Sequence, residues 1–346
     1  MSGAWERRWH PLLSEWVIIS ASSAVRPWSG ATATSEGTKS PQHDPACYLC
    51  PSVTRASGHQ NPDYTGPFAF DNDFPTFAKH APETNPSSTT NSDPLDSPFA
   101  ITAPAKGNCR VLCWSERHDM TLAELPVTDM AAITQLWRDE FTLLHNNPDV
   151  HQALMFENKG TEIGVSNLHP HGQAYGLPFV SSHASRMRDA QAQYKNKHQS
   201  DLLIDMQDHP SVKGALIVER ANHWTVIVPF AARFAYETWI LPHQAATNLS
   251  TLSDDALLEL GEVYHRQAQR YDALFQRQSP NITHFHNAPS DNNPKNSSWC
   301  FHMAFQPPLR EPDKLKYLGG FESSAGNITN PVQPEVAAGR LREITI

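Results

Sequence analysis

Residues 165–175 read VSNLHPHGQAY, a run that sets His169 and His171 on either side of Pro170, with Ser166 before them and Gln173 after. A neutral imidazole is a good nucleophile near pH 7, because its unperturbed pKa is about 6.5. Residues i and i+2 of a strand face the same side roughly 6–7 Å apart, so both rings are expected to point one way. Pro170 restricts ladder pairing there to an edge or a strand end. An imidazole that attacks the α-phosphorus of a nucleotide forms a phosphoramidate, a reactive store that a second phosphate can take over. Ser166 through its hydroxyl and Gln173 through its amide can each donate a hydrogen bond to a phosphate oxygen.

A second chemical signal is Cys47-x-x-Cys50, a spacing used for tetrahedral metal sites, which need two further ligands. Cys109 and Cys113 fall in an apolar strand and read as core thiols. Five cysteines, odd in number, suit metal binding in a reducing, cytoplasmic setting better than a disulfide framework. The opening residues are broken by Glu6, Arg7, Arg8 and Glu15 and carry no signal-peptide core, and no run of 18 apolar residues suggests a membrane span. A net charge of -9 with no basic stripe argues against a nucleic-acid partner, while leaving room for a small phosphorylated ligand.

The elements that must hold these residues come in two echoing sets within 346 residues. The β-rich segment 109–120 leads into a helix that Thr128 can cap, with Ile133, Trp137, Phe141 and Leu144 at helical spacing. Segment 237–246 leads into a second helix, capped by Ser253, with Leu257, Leu260, Tyr264, Tyr271 and Leu274 on one face. His118 and His243 then occupy equivalent places. Matching 154–173 to 283–306 pairs His169 with His302 and His171 with Ala304, so the second histidine of the pair occurs in one copy alone. Residues 79–98, rich in Pro, Ser, Thr and Asn, read as an exposed loop, and 190–215 as a partly helical bridge.

Taken together, ENKGTEIGVSNLHPHGQAYGLPF, RWHPLLSEWVIISASSAVRPW, NPDYTGPFAFDNDF, FHNAPSDN, FQPPLR and KYLGGFE resemble the galactose-1-phosphate uridylyltransferase family, the transferase branch of the histidine-triad superfamily. The resemblance spans nearly the whole chain. It implies an α+β fold, a duplicated histidine-triad-like unit whose antiparallel sheets form a half-barrel with helices outside. The expected halves are 1–185, with the nucleophile and a zinc site, and 186–346. His171 is the implied nucleophile, taking a uridylyl group from UDP-glucose and passing it to galactose 1-phosphate by a ping-pong route. The superfamily's hydrolases carry a third histidine where this chain has Gln173, so the amide favours holding the intermediate for a phosphate.

The resemblance further implies His118 and His169 as the remaining zinc ligands. It implies Arg26, Asn72 and Asp73 at the nucleotide, Asn158 and Glu322 at the sugar hydroxyls, and Lys316 beside the phosphates. Homodimers that share active-site residues between subunits are expected. Bacterial relatives often hold a second, iron site; here two of its ligands, His286 and His302, remain, but the others fall at Met187 and Ala304. A thioether and a methyl do not supply the donors iron prefers, so that site is expected to be absent or weakened. Two further departures are Ser23, where relatives carry an arginine, and Ile328, where they carry a sugar-binding glutamine that Asn327 or Gln333 would have to replace. These departures motivate an alternative, a related nucleotidyltransferase or NDP-sugar phosphorylase. A non-catalytic nucleotide sensor and a hydrolase are the remaining readings, opposed by the intact Ser166, His169, His171 and Gln173 set and by Gln173 respectively.

Overall fold

In a computed structural model, which describes residues 5–20, 40–82 and 103–346, the first elements are the hairpin β1 (Trp5–His10) and β2 (Glu15–Ser20). Then come β3 (Phe68–Asp71), β4 (Asn108–Cys113), helix α1 (Met130–His145), β5 (Gln152–Lys159) and β6 (His171–Leu177). Three helices follow, α2 (Ser182–His198), α3 (Leu202–Asp208) and α4 (Pro210–Lys213), and they are the helical bridge expected over 190–215. The second set is β7 (Ile217–Arg220), β8 (Trp224–Ile227), β9 (Thr238–Pro242), α5 (Asp254–Phe275), β10 (Asn281–His286) and β11 (His302–Gln306). The chain ends with β12 (Leu309–Glu311), β13 (Lys314–Leu315), α6 (Gly320–Ala325), β14 (Thr329–Asn330) and α7 (Pro334–Glu343). Most of the expected loop at 79–98 lies outside the described residues.

The two sets merge into one open antiparallel sheet of nine strands, in the order β3-β4-β6-β5-β10-β11-β9-β8-β7. Its centre is a palindrome: β4, β6 and β5 of the first set mirror β9, β11 and β10 of the second, joined where Lys159 pairs with Asn281. The fold is therefore α+β and the sheet stays open, as the half-barrel expectation required. The strand β14 runs parallel to β2 in a smaller sheet with β1.

Helices α1 and α5 cover one face of the large sheet. Ile133, Trp137, Phe141 and Leu144 are buried, as are Leu257, Leu260, Tyr264 and Tyr271, so the helical periodicity marked the core side correctly. The helices cross at Gly261, where an added Cβ would lie 2.5 Å from Thr134 Cγ2. Ser253 caps α5, accepting from Ala256 N–H. Thr128 does not cap α1: a 3-10 turn over Val127–Asp129 precedes the helix, and no side chain caps it.

The opposite face differs between its two ends. Over β9 and β11 it is covered by the bridge helices and the first hairpin, through Ala184, Met187, Leu203 and Val212 with Leu12 and Leu13, packed on Trp239 and Ala304. Over β6, among the described residues, no such helical cover packs. Instead a smaller cluster of Cys47, Leu49, Cys50, Tyr64, Phe70, Val111 and Cys113 closes the β3–β4 margin.

Candidate active site and metal centre

Strand β6 starts at His171, because Pro170 has no N–H to extend the ladder. The alternation rule therefore does not reach His169, and the two rings enter different surroundings rather than lying side by side on one strand. His169 is fully buried and His171 partly so. The Pro170 carbonyl accepts from Trp114 N–H at 3.3 Å, which anchors the strand end to the chain leaving β4.

The His171 ring is oriented by its own backbone. Its Nδ1 lies 2.7 Å from the carbonyl oxygen of His169. A carbonyl only accepts, so Nδ1 carries the proton and Nε2 keeps the free lone pair. Burial lowers the pKa of His171 below its usual value, against the opposing effect of that carbonyl, and so keeps the ring neutral near pH 7. Gln173 faces the same side two residues on, its Oε1 accepting from Tyr175 O–H at 2.9 Å. That bond turns the Gln173 amide N–H pair outward as donors. On β5, Phe156 pairs with Gln173 and Glu157 with Gly172, so the next step of that register sets Asn158 beside His171. Ser166 is exposed in the turn that approaches the strand.

His169 turns to the Cys-x-x-Cys loop. Cys47, Cys50, His118 and His169 are all buried, and their ligand atoms lie within 4.8 Å of one another. Cys50 Sγ is 3.5 Å from His169 Nδ1 and 3.7 Å from His118 Nδ1. Bonds of about 2.3 Å to sulfur and about 2.0–2.1 Å to nitrogen make the S···N edge of a tetrahedron about 3.5 Å, so the spacing fits one ion. His169 Nε2 donates to Ser115 O at 3.0 Å, leaving Nδ1 free as a ligand. Without a cation, burial pushes the Cys50 thiol up to about 12, the penalty that metal coordination removes. Asn167, which the sequence reading passed over, supports the cluster twice: its Oδ1 accepts from His169 N–H at 2.9 Å, and its amide lies 3.4 Å from Cys47 Sγ. An Asn two residues before a ligand is a turn-former, and that spacing was the available signal.

The remaining sequence candidates divide. Arg26 and Ser23 lie outside the described residues. Asn72 Oδ1 accepts from Phe74 N–H, making the turn of FDNDF, while its amide nitrogen is left for other partners. Asp73 is engaged by Arg55 at 3.3 Å and by Ser57 N–H at 3.1 Å; Arg55, which sequence reading missed, stacks on Phe70 as well. Glu322 caps α6 through Gly319 N–H, accepts from Thr329 N–H and pairs with Lys316. That pair stands beside β14, whose Asn330 amide donates to the Ala232 and Phe234 carbonyls in the chain leading into β9, and β9 lies four strands from β6 in the large sheet. Ile328 is buried, and its carbonyl bonds Ile18 N–H. Cys109 and Cys113 are buried free thiols, as expected.

The repeat alignment needs correction. His302 opens β11 and places Nδ1 3.1 Å from Cys300 O, the same bond to the carbonyl two residues back that His171 makes. The β5–β6 ladder sets Asn158 beside His171, and the β10–β11 ladder sets His286 beside His302, two residues out of step with the sequence match. The geometric counterpart of His171 is thus His302, not Ala304, and both halves carry this imidazole. His302 stacks on His286 with centroids 4.5 Å apart.

Profiles of the N-terminal and C-terminal domains of galactose-1-phosphate uridyl transferase match residues 2–181 and 187–346. The chain belongs to the galactose-1-phosphate uridylyltransferase family. It is 34% identical to the Haemophilus influenzae galactose-1-phosphate uridylyltransferase, covering 98% of this chain and 94% of the relative. It is 33% identical to the rat enzyme of that name, over 97% and 86% of the two chains. Among solved structures, an Arabidopsis thaliana ADP-glucose phosphorylase with bound ADP-glucose superposes with a TM-score of 0.78 at 21% identity over 99% of each chain. A uridylyltransferase structure superposes at 0.76 and 24% over 97% of each, which places this sheet and its helices in the uridylyltransferase fold.

Proposed function

We propose that this protein is a nucleotidyltransferase, a UDP-glucose–hexose-1-phosphate uridylyltransferase acting through a uridylyl-histidine. The observation that carries the reading is the His171 ring, neutral, with Nδ1–H held by the His169 carbonyl and Nε2 free. In the first half-reaction Nε2 bonds to the α-phosphorus, the bond from that phosphorus to the bridging oxygen breaks, and glucose 1-phosphate leaves. Attack by a phosphate oxygen of galactose 1-phosphate then breaks the N–P bond and gives UDP-galactose. The proton stays on Nδ1 throughout, so the charge on the ring is stabilised by a fixed carbonyl dipole. Ser166 and the Gln173 amide are assigned to the phosphoryl oxygens, Asn158 to the sugar hydroxyls, and Arg26, Asn72 and Asp73 to the nucleotide end. Asp73 acts there through Arg55 and the loop, given its bonds.

Residues 1–185 carry the nucleophile and the metal ligands in this reading, and 186–346 supply the complementary half. Cys47, Cys50, His118 and His169 would hold zinc, which when bound ties the Cys47–Cys50 loop to the residue whose carbonyl orients His171. A second, iron site is proposed to be lost, since Met187 and Ala304 are packed in an apolar cluster. Lys316 and Glu322 are assigned to the sugar and phosphate of a partner subunit's site in a homodimer. Their place beside β14, which is bonded to the chain between β8 and β9 rather than to β6, supports this, as do the neighbouring Tyr317, Leu318 and Phe321, exposed by 56%, 61% and 56%. The five free cysteines suit a cytoplasmic setting. Among the described residues no helix is long and apolar enough to cross a membrane.

Intact-mass spectrometry after incubation with UDP-glucose alone tests the reading: a uridylyl adduct is expected, absent in His171→Ala. Burial of Ile328 removes one sugar contact and favours a second reading, an NDP-sugar phosphorylase. Turnover of ADP-glucose with inorganic phosphate, and none of UDP-glucose, would select it.

A further inference from the structure

Behind the nucleophile, on the helix-packed side of the sheet, lies a buried polar link that the transfer chemistry does not use. Trp114 leaves the end of β4, and its indole Nε1–H donates to Glu157 Oε1 on β5 at 2.8 Å. These strands flank β6 on its two sides: Cys113 pairs with His171, and Glu157 with Gly172. The link therefore spans β6 from one neighbour to the other. It passes Gly172, whose Cβ position faces away from His171 and Gln173 by strand alternation. A Cβ built on Gly172 would lie 2.4 Å from Trp114 Cη2, 2.5 Å from Cζ2 and 3.1 Å from the Phe156 carbonyl oxygen. The indole rests directly on the backbone of the catalytic strand.

The same short segment grips the strand's approach. Trp114 N–H bonds the Pro170 carbonyl, and the Ser115 carbonyl accepts from His169 Nε2. The second Glu157 oxygen accepts from the hydroxyl of Tyr264 on α5. Trp114 and Tyr264 are each 2% exposed and Glu157 4%. An apolar side chain at 157 would pack there without the cost of desolvating a carboxyl group. What the carboxyl adds is direction: two bonds that hold the indole at one height and angle under β6. The His169 carbonyl sets how the His171 ring is turned, but not how far the strand carries it toward the open face.

We propose that Glu157, Trp114 and Tyr264 form a strap that fixes the height of β6 under His171, making Glu157 and Trp114 positioning residues for the nucleophile. The proposal rests on the uridylyl-transfer reading for its kinetic readout. Misplacing a reacting atom by about 1 Å costs on the order of 100-fold in rate, so a shifted strap lowers the rate of adduct formation at saturating UDP-glucose and leaves KM near its original value.

The test is a compensation experiment read by rapid-quench mass spectrometry. Gly172→Ala pushes the indole away and is expected to slow adduct formation roughly 10- to 100-fold at saturation. Trp114→Phe, a shorter ring without the indole N–H, gives up the bond to Glu157 and is expected to slow the same rate about tenfold by itself. Added to Gly172→Ala it relieves the clash, so the double variant is expected to be no slower than Trp114→Phe alone, whereas independent losses of stability would multiply. Glu157→Gln, which keeps the shape, is expected to fall about tenfold in the same rate with KM little changed. Multiplied losses in the double variant, or single variants that fold and react at the wild-type rate, would overturn the strap. Wild-type protein that forms no adduct would instead overturn the transfer reading. The strap would then still be judged by the crystallographic position of β6 at His171, expected to be displaced in Gly172→Ala and in Glu157→Gln, and refuted by no displacement in either.

Discussion

His171 and His302 each open a strand of one sheet, and each bonds through Nδ1 to the carbonyl two residues back, at 2.7 and 3.1 Å. Beyond that shared bond their surroundings diverge. His302 is 1% exposed, stacked on His286 and lying beneath the bridge helices and the first hairpin, and burial lowers its pKa to about 4. His171, by contrast, is only partly buried and stands at the end of the same face that the bridge helices leave uncovered. A backbone carbonyl is enough to choose the tautomer, but a nucleophile must also be reachable by phosphorus. The second half holds the orientation without the access, and its imidazole serves as a polar core group.

The largest expected effect comes from removing the reachable ring. His171→Ala should abolish the uridylyl adduct and lower turnover by more than about 10⁴-fold, measured by mass spectrometry and coupled assay. His302→Gln should instead leave the adduct intact and cost about 1–3 kcal/mol of stability, read by urea unfolding. Equal kinetic losses in the two variants would remove the distinction drawn between them. Next in size is Gln173→Ala, expected to slow transfer about 10²- to 10³-fold through loss of one donor to the phosphoryl group.

The metal cluster belongs to the first half alone among the described residues. Elemental analysis should find about one zinc per chain, lost in Cys50→Ser. Asn167→Ala should weaken metal affinity about 10- to 100-fold, because a supporting bond to a ligand is removed. The smallest effect is one of pH, at the covered end of the sheet. His10, His284 and His302 have pKa values lowered by burial to about 3, 4 and 4. The unfolded chain takes up these protons near 6.5 and the folded chain does not. Stability is thus complete above about pH 6.5 and falls as pH drops toward 4. Adduct formation should remain flat from pH 8 to 6.5 and decline only below, as His171 protonates. Thermal melts and single-turnover rates across that range would show whether the two curves part.

Much of the site could be read from local pattern. His169, His171, Gln173 and Ser166 lie within eight residues of one another, and a run that short constrains its own geometry. The core faces of α1 and α5 followed from spacing because a helix repeats every 3.6 residues whatever it packs against. The Thr128 cap failed where a 3-10 turn intervened, a choice between near-equal local options. The repeat alignment failed because strand register depends on the partner strand: Phe156 and Phe285 match in sequence but face different residues. Glu322 looked like a ligand and is a cap as well, a role visible only once Gly319 and Thr329 are beside it.

By itself the amino-acid order determined the chemistry on offer: an imidazole pair across a proline, a Cys-x-x-Cys loop, two helices with apolar stripes. Only the tertiary structure decided which imidazole stands where a substrate can reach it. It also brought Cys50 to His169 across 119 residues and set Trp114 against Gly172. The reason is that residue type and short-range geometry are local properties, whereas access, ligand convergence and strand height are set by what the rest of the chain packs against them.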